Sequence, residues 1–359
     1  MSDLELDLRG GSFPSGPGML ELMTSGYLLS SVLFSAVELG VFDQLESRPA
    51  DAEQLAVRLR ASVNGTRRLL TALCALALCR RDDDGVHYNT PIASAALTSG
   101  APQSIVPLVL QHQRLVFDLF GRLTDGVRSG EPQLAAWRFV DGAPAADCYA
   151  ELQRHPEEQA LLMRAMNRAS LGVGRAMAKQ AGLGDARELI DLGGGGAQVA
   201  IELCESLPQL SVVIVDLPAA CRHAQARVQA AGFERRIRCV AGDLRRPLDD
   251  RVTPADAVLL SGVISDFPEA ERALVLRHAA QAVARGGRLL VSETLLDDAR
   301  TGPALPALLS LFMLLSTRGD NFTLPELRAL LAQVGFPDLD FHSGAKSGLR
   351  DLIVARRAS

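Results

Sequence analysis

The sequence predicts an α/β protein in two parts: a mostly α-helical N-terminal half, then an open, mostly parallel sheet with helices on both faces. Three observations carry this. The 359 residues exceed one ordinary domain and fit two, and with 48% hydrophobic and 22% charged residues both can bury a core. Between Met19 and Gln180 apolar residues recur at three- and four-residue spacing, the period of amphipathic helices. From Glu188 onward, short β-like runs (ELIDL, SVVIVDL, IRCVAGD, AVLLSG, RLLVSETL) alternate with helical segments, as successive βαβ units do.

Residues 1–18, rich in Gly, Ser and Pro, read as a flexible arm. Residues 19–180 read as the helical domain. Its first segment, Met19 to about Leu45, predicts one or two amphipathic helices ended near Gly40. DAEQLAVRL, NGTRRLLTALCALAL and RRDDDGVHYNTP then give two short helices, a turn at Asp84-Gly85 and a polar strand, which together spell a winged-helix unit. Such a unit raises DNA binding. A recognition helix needs an exposed face of base- and phosphate-reading side chains, whereas here Arg67 and Arg68 are followed by LLTALCALAL, an almost wholly apolar run expected to be buried. The net charge of -5 likewise argues against a nucleic-acid partner. Residues 101–180 continue in helical periods, with loops expected at Asp125–Gly130 and Asp141–Ala146 and a lid suggested by Trp137 and Phe139. Residues 181–359 read as the sheet domain.

The sharpest motif is ELIDLGGGGA, residues 188–197: a buried strand running into four glycines and then the helix AQVAIELCESL. Open α/β sheets bind ligands at the carboxyl ends of their strands, and glycines there let the backbone approach a ligand closely. Of the dinucleotide pattern GxGxxG only the first two glycines are met, because the third position falls on Gln198. The next strand ends in Asp216, about 20 residues on, where a carboxylate accepts both hydroxyls of a ribose. The third ends in Gly242-Asp243-Leu244, a carboxylate and an apolar group suited to an adenosine. The fourth and fifth run AVLLSGVISDF and GGRLLVSETLL and bring their ends to the same cleft.

In order and spacing, IDLGGGGA, VVIVDLP, AGDL, GVISDF and ARGGRLLVSE resemble the motifs of the class I S-adenosylmethionine-dependent O-methyltransferases of the plant and bacterial small-molecule type. LLSSVLFSAVELGVFDQL and TRRLLTALCALALCRR resemble that family's dimerisation and winged-helix segments. The resemblance spans roughly residues 20–357. It implies a Rossmann-like methyltransferase domain behind a winged-helix dimerisation domain, a homodimer, and S-adenosyl-L-methionine as cofactor. The implied cofactor residues are Asp191, Gly193, Gly194 and Gly195 at the methionine part, Asp216 with Leu217 at the ribose, and Asp243 with Leu244 at the adenine. Ser261 and Ser170 join them, Ser170 near the cofactor carboxylate.

The family places a histidine, the general base, in a His-Asp-Trp-like tripeptide after the fourth strand. This chain has Ser265-Asp266-Phe267 there. Glu293 matches the glutamate that orients the base, and the family's second glutamate falls on Asn321. A serine hydroxyl is no general base near neutral pH. The catalytic candidates are therefore Ser265, Asp266, Glu293 and Asn321, with three readings open. The acceptor is acidic enough for positioning to suffice; or Asp266, Glu293 or His112 takes the proton; or the cofactor is retained for a non-methylating step such as hydroxylation, decarboxylation or a pericyclic reaction. An NAD-dependent oxidoreductase is disfavoured by the missing third glycine.

The resemblance draws the acceptor pocket from His112, Phe117, Phe120, Met163, Met166, Asn167, Phe312 and Met313, a set suited to a flat aromatic or polyketide-like molecule. The other histidines lie in turns or on helix faces expected to be exposed and lack ligand spacing, and the six cysteines form no CxxC pair, so no metal is expected. The acidic N-terminus and the lack of an uninterrupted apolar run long enough to span a bilayer predict a cytoplasmic protein without membrane contact.

Overall fold

The computed structural model describes residues 16–344 and 350–357. The chain divides into two compact units, one ending at Val116 and the other starting at Phe117. Most of the expected N-terminal arm lies outside the described residues, and helix begins within its last part, at Pro17.

In the N-terminal unit, α1 (Pro17–Glu38) stops at Gly40, whose φ of 74° lets the chain turn into α2 (Val41–Ser47). The winged-helix elements follow as expected. They are α3 (Ala52–Leu59), α4 (Val63–Ala75), and the antiparallel hairpin β1 (Cys79–Arg81) and β2 (His87–Asn89). Asp51 and Ser62 cap the two helices by accepting from Gln54 N at 2.8 Å and Gly65 N at 3.1 Å. Phe42, Leu55, Leu70 and Leu73 fill the core.

Two expectations change here. Helix α4 buries only Thr66, Leu70 and Leu73. Arg67, Arg68 and Thr71 are exposed, with Arg67 paired to Glu53 at 2.5 Å, so the helix is amphipathic rather than sunk. Helix α1 presents Leu20, Met23, Tyr27 and Leu28 to the outside, and with a mean hydropathy of 1.4 it is long and apolar enough, by length and composition alone, to cross a membrane. Its apolar run is interrupted by Glu21 and by Thr24, Ser25 and Gly26, yet its average stays high.

The second unit is built on a seven-stranded sheet of β3 (Glu188–Leu192), β4 (Ser211–Asp216), β5 (Ile237–Ala241), β6 (Ala255–Ser261), β7 (Val283–Glu293), β8 (Leu339–His342) and β9 (Asp351–Arg356). Their order is β5-β4-β3-β6-β7-β9-β8; the first five are parallel, and β9 and β8 add antiparallel pairs. The inner strands are apolar on both faces because helices cover both. Leu189, Val212, Leu259 and Leu290 face one helix layer and Ile190, Val258, Leu289 and Ile353 the other. Each fully buried side chain of this size contributes about 1.5–3 kcal/mol. The chain leaves β3 for β4 on one side and reaches β6 on the other, so the carboxyl ends of β3 and β6 flank the topological switch point where such sheets form a crevice.

The unit boundary at Val116/Phe117 precedes the expected position near residue 180 because the preceding helices belong to the sheet. Helix Val173–Gln180 packs on helix Gln198–Ser206 so closely that a Cβ on Gly174 would stand 2.6 Å from the Val199 carbonyl. Buried Glu202 accepts from Gly172 N at 2.8 Å and Gly174 N at 3.0 Å, which locks the two helices together. The segment expected as a loop at 125–130 is helical over Leu123–Ser129, and Gly126 in it lets Leu315 pack against the backbone. Trp137, suggested as part of a lid, is buried and stacked on Phe139 with ring centroids 5.2 Å apart.

Candidate active site

One cavity of about 260 Å³ opens at the carboxyl ends of β3, β4, β5 and β6. All ten residues expected at the cofactor line it: Asp191, Gly193, Gly194, Gly195, Asp216, Leu217, Asp243, Leu244, Ser261 and Ser170. Two glycines show why the motif is written as it is. Gly193 has φ 74°, and a Cβ there would stand 2.6 Å from Val263. Gly195 has φ 54°, with nothing within 4 Å of where its Cβ would be. The first lets the turn close against β6, and the second leaves the backbone bare toward the cavity.

The carboxylates beneath this turn are strongly perturbed. Asp216 Oδ2 accepts from Gly195 N at 2.8 Å and Oδ1 from Leu217 N at 2.7 Å, which fixes the carboxylate at the end of β4; burial still pushes its pKa up. Asp191 is 1% exposed, and burial, reinforced by the charge of Asp216, pushes it up to about 7. Among the described residues its Oδ2 has no hydrogen-bond partner. A buried acceptor left open beside a bare glycine turn fits a ligand that brings a cationic donor, and the ammonium of a methionine moiety is such a donor. Asp243 is held in a two-pronged pair by Arg245 (Nε to Oδ1 3.0 Å, Nη2 to Oδ2 3.0 Å), which outweighs burial and keeps its pKa low. Arg245 also lines the cavity and was not legible in the sequence.

The expected catalytic residues separate into two sets. Asp266 lines the cavity, and its Oδ2 accepts from the Tyr149 hydroxyl at 2.5 Å. Burial pushes Asp266 up to about 7; the Tyr149 hydrogen bond opposes this and the charge of Glu293 adds to it. Ser265, Glu293 and Asn321 are buried and are not among the described residues lining the cavity. Glu293 Oε1 accepts from Val263 N and Ile264 N, both at 2.9 Å, and Oε2 accepts from Ser265 Oγ at 3.1 Å. Asn321 Nδ2 donates to the Thr294 carbonyl at 2.8 Å. Glu293 thereby holds the turn 263–266 that carries Asp266. Ser265 and Asp266 diverge for a geometric reason: on this single 3-10 turn the Ser265 hydroxyl is turned to Glu293 and the Asp266 side chain lines the cavity.

Of the acceptor-side residues, Met163 and Met166 line the cavity, on helix Pro156–Ala169. Asn167 lines it as well, but its amide packs on Gly196, which puts it on the glycine-turn side. Phe117 is exposed and Phe120, Phe312 and Met313 are half-buried; none of the four is among the described residues lining the cavity. Phe120, Phe312 and Met313 sit on helices that contact one another: Ala304–Ser316 contacts helices Asp118–Phe120 and Leu123–Ser129. His112 belongs to the N-terminal unit, where its side chain is exposed. Phe267 of the tripeptide lines the cavity too, and so do Tyr149, Asp147, Arg318 and Arg350, which no motif marked. Two of the histidines expected in turns or on exposed helix faces are buried: His87 in β2, and His278, whose Nδ1 lies 2.9 Å from the Leu244 carbonyl. Among the described residues no cluster of three His, Cys, Asp or Glu side chains has the arrangement of a metal site.

Residues 120–337 match the model of an O-methyltransferase domain, and residues 21–99 that of an O-methyltransferase dimerisation domain. The chain belongs to the S-adenosylmethionine-dependent O-methyltransferase family. It is 31% identical over 346 residues to acetylserotonin O-methyltransferase of Gallus gallus, an alignment covering 95% of this chain and 97% of that protein. It is also 31% identical over 342 residues to 3-hydroxy-5-methyl-1-naphthoate 3-O-methyltransferase of Streptomyces sahachiroi, covering 95% and 96%. Among solved structures, human N-acetylserotonin methyltransferase in complex with S-adenosylmethionine superposes with a TM-score of 0.86 at 31% identity, covering 98% of this chain and 100% of that one. The chain is thus a methyltransferase whose cofactor is S-adenosylmethionine, and the open Asp191 carboxyl and the bare turn at Gly195 fit that cofactor.

Proposed function

We propose that this methyltransferase O-methylates a hydroxyl of a small aromatic or polyketide-like molecule, with Asp266 taking the acceptor proton in place of a histidine. The observation that carries this reading is that Asp266 alone of the four catalytic candidates lines the cavity, where Tyr149 donates to it at 2.5 Å. S-adenosylmethionine supplies an electrophilic methyl group on a sulfonium. Asp191, Gly193–Gly195 and Asp216 hold the methionine and ribose parts, and Asp243 with Leu244 the adenosine end. Asp266 accepts the proton as the acceptor oxygen forms its bond to the methyl carbon and the carbon–sulfur bond breaks. Glu293, through Ser265 and two backbone N–H groups, fixes the turn that presents Asp266. Met163, Met166 and Phe267 offer apolar, adaptable contact for a flat acceptor.

Aromatic acceptors are supported by two relatives whose names specify acetylserotonin and a hydroxynaphthoate. The dimerisation-domain match and the exposed apolar face of α1 support a homodimer, with Leu20, Met23, Tyr27 and Leu28 covered by a second copy rather than by lipid. A cytoplasmic location follows from the same reading. Ser265 at the usual histidine position favours one rival, a non-methylating step on the bound cofactor. Incubation with methyl-labelled S-adenosylmethionine and a panel of phenolic acceptors, read by mass spectrometry, separates the two. Label in the product supports methyl transfer; a cofactor-dependent product without label overturns it.

A further inference from the structure

Arg350 enters the cavity from a part of the chain that the glycine motif does not reach. Strand β9 runs antiparallel to β7, with Asp351 opposite Glu293, so β9 begins where the parallel strands end. Arg350, the residue before it, is therefore delivered to the carboxyl edge of the sheet. In the strand order β3-β6-β7-β9 it must reach across β7 to touch β6, and it does: Nη1 lies 3.2 Å from Ser261 Oγ and 3.5 Å from Ser170 Oγ. Gly262 makes room for it. A Cβ at that position, where φ is 65°, would stand 2.7 Å from the guanidinium carbon. The guanidinium, both serines and Gly262 all line the cavity.

A planar guanidinium beside two hydroxyls, against a residue without a side chain, is a site for a carboxylate, which takes parallel N–H donors from the fork and further O–H donors around it. The cofactor carries one carboxylate, on its methionine part. The residues assigned to that part, Asp191 and the turn Gly193–Gly195, line the same cavity, and β3 pairs with β6 so that Asp191 lies opposite Leu259, two residues before Ser261. We propose that Arg350, with Ser170 and Ser261, holds the carboxylate of the cofactor's methionine moiety, while Asp191 holds its ammonium. The amino acid would then be read by two opposite charges on different strands, Asp191 on β3 and Arg350 ahead of β9. The inference rests on S-adenosylmethionine as cofactor, not on the identity of the acceptor or of the base.

The test is equilibrium binding to the full-length protein by calorimetry, without acceptor, of S-adenosylhomocysteine and its decarboxylated analogue, which differ only in the carboxylate. Wild type should bind the analogue about 10–100-fold more weakly, as expected for lost charge-assisted hydrogen bonds. Arg350→Gln should weaken S-adenosylhomocysteine by a similar factor while leaving the analogue nearly unchanged, which erases the discrimination; Arg350→Lys should keep part of it. Binding of the analogue by the variant also reports that the cavity is folded. Equal affinity of wild type for both compounds would overturn the proposal without any variant, and so would full discrimination in Arg350→Gln. Failure of wild type to bind S-adenosylhomocysteine at all would instead contradict the cofactor assignment.

Discussion

The Tyr149 hydroxyl donates to Asp266 Oδ2 at 2.5 Å, joining side chains 117 residues apart at the wall of the cofactor cavity. Burial holds Asp266 up at about 7 against this hydrogen bond, so both protonation states are populated near neutral pH. A carboxyl accepts a proton only when ionised, and a raised pKa moves ionisation upward. The rate constant kcat/KM should therefore rise with pH up to about 7 and then level. Tyr149→Phe removes a donor that favours the charged form, so the midpoint should move to higher pH. A pH–rate profile of both proteins checks this; an unchanged midpoint in the variant would argue against the pairing.

Asp216→Ala should weaken S-adenosylhomocysteine binding by about 1.5–3 kcal/mol, the range for hydrogen bonds to a charged group. Its carboxylate is fixed by two backbone N–H groups at the end of β4, so little reorganisation precedes ligand contact. Calorimetry measures the change, and unaltered affinity would remove Asp216 from the ribose site.

Asp191 should destabilise the cofactor-free protein at alkaline pH. Its folded pKa stands at about 7 against the ordinary 3.8, so the folded state binds the proton more tightly than the unfolded one. The resulting stabilisation is fully present below about pH 4 and is lost as pH rises through about 7. Asp191→Asn, which cannot ionise, should therefore melt above wild type at pH 8, by about 2–4 °C per kcal/mol, and match it much more closely at pH 5. The same variant should bind S-adenosylhomocysteine more weakly. Thermal melts at the two pH values test the sign; a variant less stable at pH 8 would refute it.

The sequence carried the cofactor half of the site because its residues sit at fixed places on strand ends. Asp191, Gly193–Gly195 and Asp216 lie at the ends of apolar runs that read as buried strands, and Asp243 follows the shorter run IRCVAG at the sheet edge. Tyr149, Arg245 and Arg350 left no such trace. Tyr149 stands on a helix of five residues, and Arg350 opens a strand whose pairing with β7 spans some 60 residues of chain, so only the assembled sheet brings it to the cavity. Strands β8 and β9 stand outside the alternation of strand, helix and parallel strand, because β9 pairs antiparallel with both β7 and β8. For Ser265 the motif gives the residue at a position but not the direction of its side chain; its hydroxyl donates to Glu293 Oε2 at 3.1 Å.

Helix α1 offers a prediction outside the site. Leu20→Glu with Leu28→Glu places charges on residues 66% and 51% exposed, so the isolated fold should tolerate them, while a second copy covering that face should not. Light scattering should show a shift from dimer toward monomer. A dimer of unchanged stability would move the interface elsewhere.

The most direct measurement is methyl transfer from labelled S-adenosylmethionine by Asp266→Asn and Ser265→Ala, each compared with wild type and each checked for S-adenosylhomocysteine binding. Loss of a general base removes about 100-fold or more of the rate, whereas loss of a hydroxyl that serves only to hold a turn removes far less. The proposed chemistry predicts that Asp266→Asn binds the cofactor product normally yet transfers methyl at about one hundredth of the wild-type rate or below, and that Ser265→Ala stays within about tenfold of wild type. Full activity in Asp266→Asn would contradict Asp266 as the proton acceptor and leave acceptor positioning as the source of the rate.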